Sequence, residues 1–122
     1  CGAHLDGLPL NWQLKQRGGR LLETTRSAAA YKLYALAGGP PFRPGMVRVA
    51  EGGAAIDVEV WEIPSSELGS FLTGIPAPLG LGKVQLTDGR WETGFICEAY
   101  GLENSVDIPE LGGWRAYMKS RG

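Results

Sequence analysis

Nineteen glycines and eight prolines in 122 residues constrain this chain more than any other feature. Glycine gives up the most backbone freedom on folding and proline removes an amide donor, so neither supports long regular elements. The expected architecture is one of short strands and short helices joined by many turns. There is enough apolar material for a core: 43% of the residues are hydrophobic, against a net charge of -1, a balance that excludes a disordered chain. The length suits one domain, and residues 1–122 are read as a single unit.

Charge and patterning narrow the partners. Twelve Lys and Arg face thirteen Asp and Glu, so the basic excess that grips a phosphate backbone is missing and no nucleic-acid partner is expected. No apolar run approaches the roughly 18 residues of a membrane span, and no basic segment leads into an apolar one near residue 1. A cytoplasmic protein without a membrane partner is expected, with Cys1 and Cys97 reduced.

Turn chemistry and periodicity divide the chain. Residues 1–5 read as the end of a strand, followed by a turn at Asp6-Gly7-Leu8-Pro9. Leu10 to Arg17 reads as a short helix stopped by Gly18-Gly19, and Arg20 to Arg26 as an extended segment. Tyr31 to Leu36 is a strand with Tyr31, Leu33 and Ala35 on one face. Residues 37–45 are irregular. Met46 to Ala50 and Ala54 to Ile63 predict a hairpin around Gly52-Gly53. Ser65-Ser66 offers an N-cap for a helix ending near Gly74, and Asp88-Gly89 predicts a second hairpin. Asp107 or Pro109 opens a last amphipathic piece with Leu111, Trp114, Tyr117 and Met118 on one face. The fold class is therefore mixed α/β: a small, twisted mixed β-barrel-like sheet with short helices.

Familiar chemistry is mostly missing from the sequence. One histidine and no cysteine cluster leave no metal site expected. Neither a phosphate-binding loop, a dinucleotide fingerprint nor a GxSxG elbow is present, so no cofactor is expected. His4 is the one side chain that ordinarily titrates near neutrality, and as a lone histidine it can equally be a packed or surface residue. Asn11 and Gln13 bring amides suited to holding a carboxylate or amide, or to capping a helix and facing water. Glu59 shares a strand face with Asp57 and Trp61, and Tyr34 is a better site candidate than Tyr31, whose face is apolar. Arg43, Arg48 and Lys83 offer positive partners for an anion, whereas Trp91 and Trp114 read as packing residues.

Six blocks, taken together, carry a resemblance. They are Gly2-Ala-His-Leu-Asp-Gly-Leu-Pro-Leu-Asn-Trp-Gln-Leu14, Tyr31-Lys-Leu-Tyr-Ala-Leu36, Val58-Glu-Val-Trp-Glu62, Ile75-Pro-Ala-Pro-Leu-Gly-Leu-Gly82, Gly94-Phe-Ile-Cys-Glu-Ala99 and Gly112-Gly-Trp-Arg-Ala-Tyr117. In this order they resemble the C-terminal domain of allophanate hydrolase. The resemblance implies the second step of urea and s-triazine nitrogen catabolism: an amidase-signature domain or protein deaminates allophanate, and this domain decarboxylates the resulting N-carboxycarbamate. The amidase signature itself is absent from this chain. The sequence is also similar to the γ-glutamylcyclotransferase-like fold, which implies a loop at residues 1–5 that binds substrate through backbone amides, at Gly2, Ala3 and Leu5. Where cyclotransferases carry their catalytic carboxylate, this chain reads Gly74-Ile-Pro-Ala-Pro78; only Glu59 or Glu98 could stand in. The implied site has His4 as acid, Tyr34 and Glu59 fixing its geometry, and Asn11 and Gln13 beside a small dicarboxylate-like substrate. The alternatives are a cyclotransferase-like transferase and a non-catalytic module that binds an amidase partner or forms a homodimer.

Overall fold

Alternation along Tyr31–Ala35 produces the central strand. In the computed structural model, which describes residues 1–39, 42–108 and 113–120, Tyr31, Leu33 and Ala35 are buried while Lys32 and Tyr34 are half-buried. The elements follow in the order α1 (Trp12–Gln16), β1 (Arg20–Arg26), β2 (Tyr31–Ala35), β3 (Pro44–Arg48), β4 (Asp57–Glu62), α2 (Ser65–Thr73), β5 (Leu79–Gln85), β6 (Trp91–Cys97), a 3-10 turn (Ala99–Leu102), β7 (Val106–Asp107) and α3 (Trp114–Ser120). This is the small mixed α/β domain with short helices that the glycine and proline content favours.

Among the described residues, three antiparallel sheets make up the strand structure: β1 with β4, β2 between β3 and β7, and β5 with β6. Single bridges join them, Ser27 to Leu86 and Tyr31 to Ala54. Among the described residues, the strands therefore wrap around the core without closing into one hydrogen-bonded barrel. Tyr31 adds a side-chain link between ladders, because its buried hydroxyl accepts the Gln85 N–H at 2.9 Å. The core contains Leu5, Leu33, Met46, Ile56 and Trp114, with Tyr117 and Met118 of α3 packed against it. No helix among the described residues is long and apolar enough to cross a membrane.

Several local expectations are met. Helix α1 ends where Gly18 adopts φ +79° and Gly19 donates to the Leu14 carbonyl at 2.8 Å, a left-handed stop. Asp88-Gly89 turns the β5–β6 hairpin, with Gly89 at φ +93°.

Four expectations are corrected. The hairpin predicted around Gly52-Gly53 does not form: β3 pairs with β2, and β4 pairs with β1. Gly53 instead passes against the backbone of Ala30 and Tyr31, where a Cβ would meet the Ala30 carbonyl carbon at 2.6 Å. Ala54 then bridges Tyr31 and the chain leaves for a different ladder. Residues 1–5 are not a strand end but the start of consecutive turns, closed by Leu5 N–H to Gly2 C=O and Leu8 N–H to Leu5 C=O. Ser65 and Ser66 lie inside the first turn of α2, with the extended Pro64 at the cap, so neither hydroxyl caps the helix. Asp107 ends β7 rather than opening a helix; Pro109 and Leu111 lie outside the described residues, and α3 begins at Trp114.

Candidate active site

The turns at residues 2–10 fold back on α1 and present the lone imidazole. Leu10 N–H donates to the Ala3 carbonyl at 2.8 Å, and the buried Asn11 amide donates to the His4 carbonyl, also at 2.8 Å. Gln13, two residues further on, meets the ring itself: Nε2 lies 2.6 Å from Gln13 Oε1. That contact pairs the ring with an amide oxygen, an assignment under which Nε2 carries the proton and Nδ1 keeps its lone pair. Phe95 of β6 stacks on the imidazole at 5.1 Å between centroids, and Phe71 of α2 meets it edge-on at 5.3 Å. Burial pushes the His4 pKa below the ordinary imidazole value; the Gln13 hydrogen bond opposes that, and the positive charge of Arg43 reinforces it.

His4 lines two cavities. The smaller, about 30 Å³, is lined by Gly2, Ala3, His4 and Arg43, with Gly74, Ile75 and Pro76 on its other wall. The larger, about 340 Å³, is walled mainly by aliphatic and aromatic side chains, with Glu59 and Glu92 among its lining residues. Its apolar walls and carboxylates make it a poor host for an anion. The smaller one has the right groups. Among the described residues the N–H groups of Ala3 and His4 donate to no acceptor, and buried backbone donors ordinarily have one.

The structure brings some of the sequence candidates together and separates others. Gly2, Ala3 and His4 converge on the small pocket. Asn11 and Gln13 line neither cavity; their amides are engaged in holding the loop and the imidazole. Leu5 belongs to the core. Tyr34 lies in the opposite phase of β2 from the core residues Leu33 and Ala35, and lines neither cavity. The Glu59 side chain is 5% exposed: Oε1 accepts Asp6 N–H at 2.8 Å and Trp61 Nε1–H at 3.0 Å, while Oε2 lies 3.1 Å from Arg115. Arg115 also donates to the Asp6 carbonyl at 2.8 Å, so both backbone polar groups of Asp6, two residues after the histidine, are held. Arg48 stacks over Trp91 and Lys83 bonds Thr93, which takes both away from the pocket. Sequence reasoning missed the cluster that Phe71 and Phe95 form with the imidazole and the hold of Arg115, which come from distant elements with no shared local pattern.

The family described as the allophanate hydrolase C-terminal domain matches residues 1–119. This chain belongs to that family. The allophanate hydrolase C-terminal domain seen here is 44% identical to urea amidolyase of Saccharomyces cerevisiae, over 97% of this chain but 7% of that protein. It thus spans about 7% of the length of the curated relatives it matches. Its structure superposes on Kluyveromyces lactis allophanate hydrolase with a TM-score of 0.96 at 41% identity, covering 99% of this chain and 20% of the other. A uropathogenic E. coli-specific protein matches with a TM-score of 0.89 at 36% identity, covering 97% of this chain and 91% of that one. In that solved relative, a fold like this domain's makes up nearly the whole chain.

Proposed function

We propose that this domain decarboxylates N-carboxycarbamate, the dianion left when an amidase removes ammonia from allophanate. The observation that carries the reading is the half-buried His4 ring, oriented through Nε2 by Gln13 and bordering a small pocket with unpaired loop amides. Family membership supports the choice of substrate. In the reaction the C–N bond breaks, its electron pair stays on nitrogen, carbon dioxide leaves and carbamate remains. A proton delivered to nitrogen stabilises that developing charge. The dianion draws a proton onto an otherwise neutral His4, which passes it from Nδ1 to the substrate nitrogen and is reprotonated from water. The Ala3 and His4 amides hold a carboxylate, with Gln13 and Asn11 keeping ring and loop in place. Cyclotransferase chemistry is disfavoured because Gly74, Ile75 and Pro76 form the wall where its carboxylate would stand.

The test is the lifetime of N-carboxycarbamate released by a separate amidase, followed with and without this domain. A positioned acid contributes on the order of 10² to 10⁴ in rate, so His4→Asn should lose about that factor. An unchanged lifetime with the variant overturns the role of His4. An unchanged lifetime with the parent protein favours a non-catalytic module for the amidase or for a second copy of this chain.

A further inference from the structure

Among the described residues, Arg43 has no structural task for its guanidinium. Each of the other six described arginines is engaged, by a carboxylate, a carbonyl, a hydroxyl or an aromatic face. Arg43 is half-buried, makes no hydrogen bond or ion pair through its guanidinium among the described residues, and lines the His4 pocket. It also lines an adjoining cavity of about 210 Å³, bordered by the 36–39 loop and Pro76 to Leu79. Arg43, Pro76 and Leu79 are common to both spaces, so the guanidinium marks their junction.

Size then divides the ligand. A water needs roughly 10–15 Å³ of this kind of space, so the His4 pocket of about 30 Å³ takes a group the size of one carboxylate. The rest of the ligand must extend towards Arg43. We propose that Arg43 makes this site selective for dicarboxylates: the loop amides beside His4 take one carboxylate and the Arg43 guanidinium takes the other. A planar guanidinium suits this because it binds a carboxylate with two parallel N–H donors, which an ammonium cannot reproduce. The inference rests on the decarboxylase reading for its natural substrate but not for its test.

Malonate has the same carboxylate spacing pattern as N-carboxycarbamate, with CH2 in place of NH, and does not react; acetate carries one carboxylate. Calorimetric titration of the parent protein should show malonate binding at least tenfold tighter than acetate, about 1.4 kcal/mol. Arg43→Met should abolish that preference while leaving acetate binding intact, which also shows that the pocket has folded. Arg43→Lys should recover only part of it. As an independent measure on the unaltered protein, malonate but not acetate should protect Arg43 from phenylglyoxal, read by mass spectrometry of its peptide. Equal affinities in the parent, an undiminished preference in Arg43→Met, or no protection overturns the proposal. A malonate preference that depends on Arg43, in a parent protein that leaves the lifetime of N-carboxycarbamate unaltered, would sink the decarboxylase reading and keep the dicarboxylate site.

Discussion

At the scale of the residue, His4 couples site chemistry to stability. Its pKa in the folded protein lies below the ordinary value of 6.5, because partial burial against Phe71 and Phe95 disfavours the imidazolium. The unfolded chain therefore binds more protons in that window, and stability contributed by the neutral ring rises with pH. It is fully present above the unfolded value of 6.5 and lost as pH falls towards the folded one. Urea midpoints measured from pH 7.5 down to pH 5 should fall for the parent and fall less for His4→Asn. Identical slopes for the two proteins would place the titration elsewhere. The neighbouring amides have a different lesson. Asn11 and Gln13 were legible as polar groups near the histidine, but not as its supports, because a buried amide satisfied by its own loop has the same sequence signature as one left free for a ligand.

Elements held together by local chemistry could be read from the sequence, whereas those chosen by distant pairing could not. Helix α1 with its glycine stop, the alternating β2 and the β5–β6 hairpin each carry their signal within a few residues. Gly52-Gly53 carries a hairpin signal too, yet there the second glycine serves a close crossing against Ala30 and Tyr31. The two glycines can be told apart by substitution. Gly52 has φ +73° and open space around its Cβ position, so Gly52→Ala should cost about 1–2 kcal/mol for the left-handed backbone alone. Gly53→Ala forces a Cβ into main-chain atoms that cannot yield and should cost at least as much, towards about 3 kcal/mol, the upper end for overpacking. Equilibrium urea unfolding checks both, and a Gly53→Ala protein as stable as its parent would refute the close crossing. For the site, the same division holds: the lone histidine stood out, while the aromatic rings around it come from α2 and β6 and the arginine from α3, all far from it in the chain.

On the scale of the whole molecule, α3 ties the end of the described chain to its beginning. Trp114 is 2% exposed, part of the core, and its ring lies 5.1 Å from that of Tyr117. Trp114→Ala should lower unfolding stability by about 3–5 kcal/mol, measured by urea titration; a loss below about 1 kcal/mol would mean that the core holds without this helix. The next residue, Arg115, grips Glu59 and the carbonyl of Asp6, two positions after the imidazole. Opposite extremes of the sequence thus share one latch. A clipped final helix would disarm the histidine from more than a hundred positions away, with every atom of the pocket's own lining still in the polypeptide.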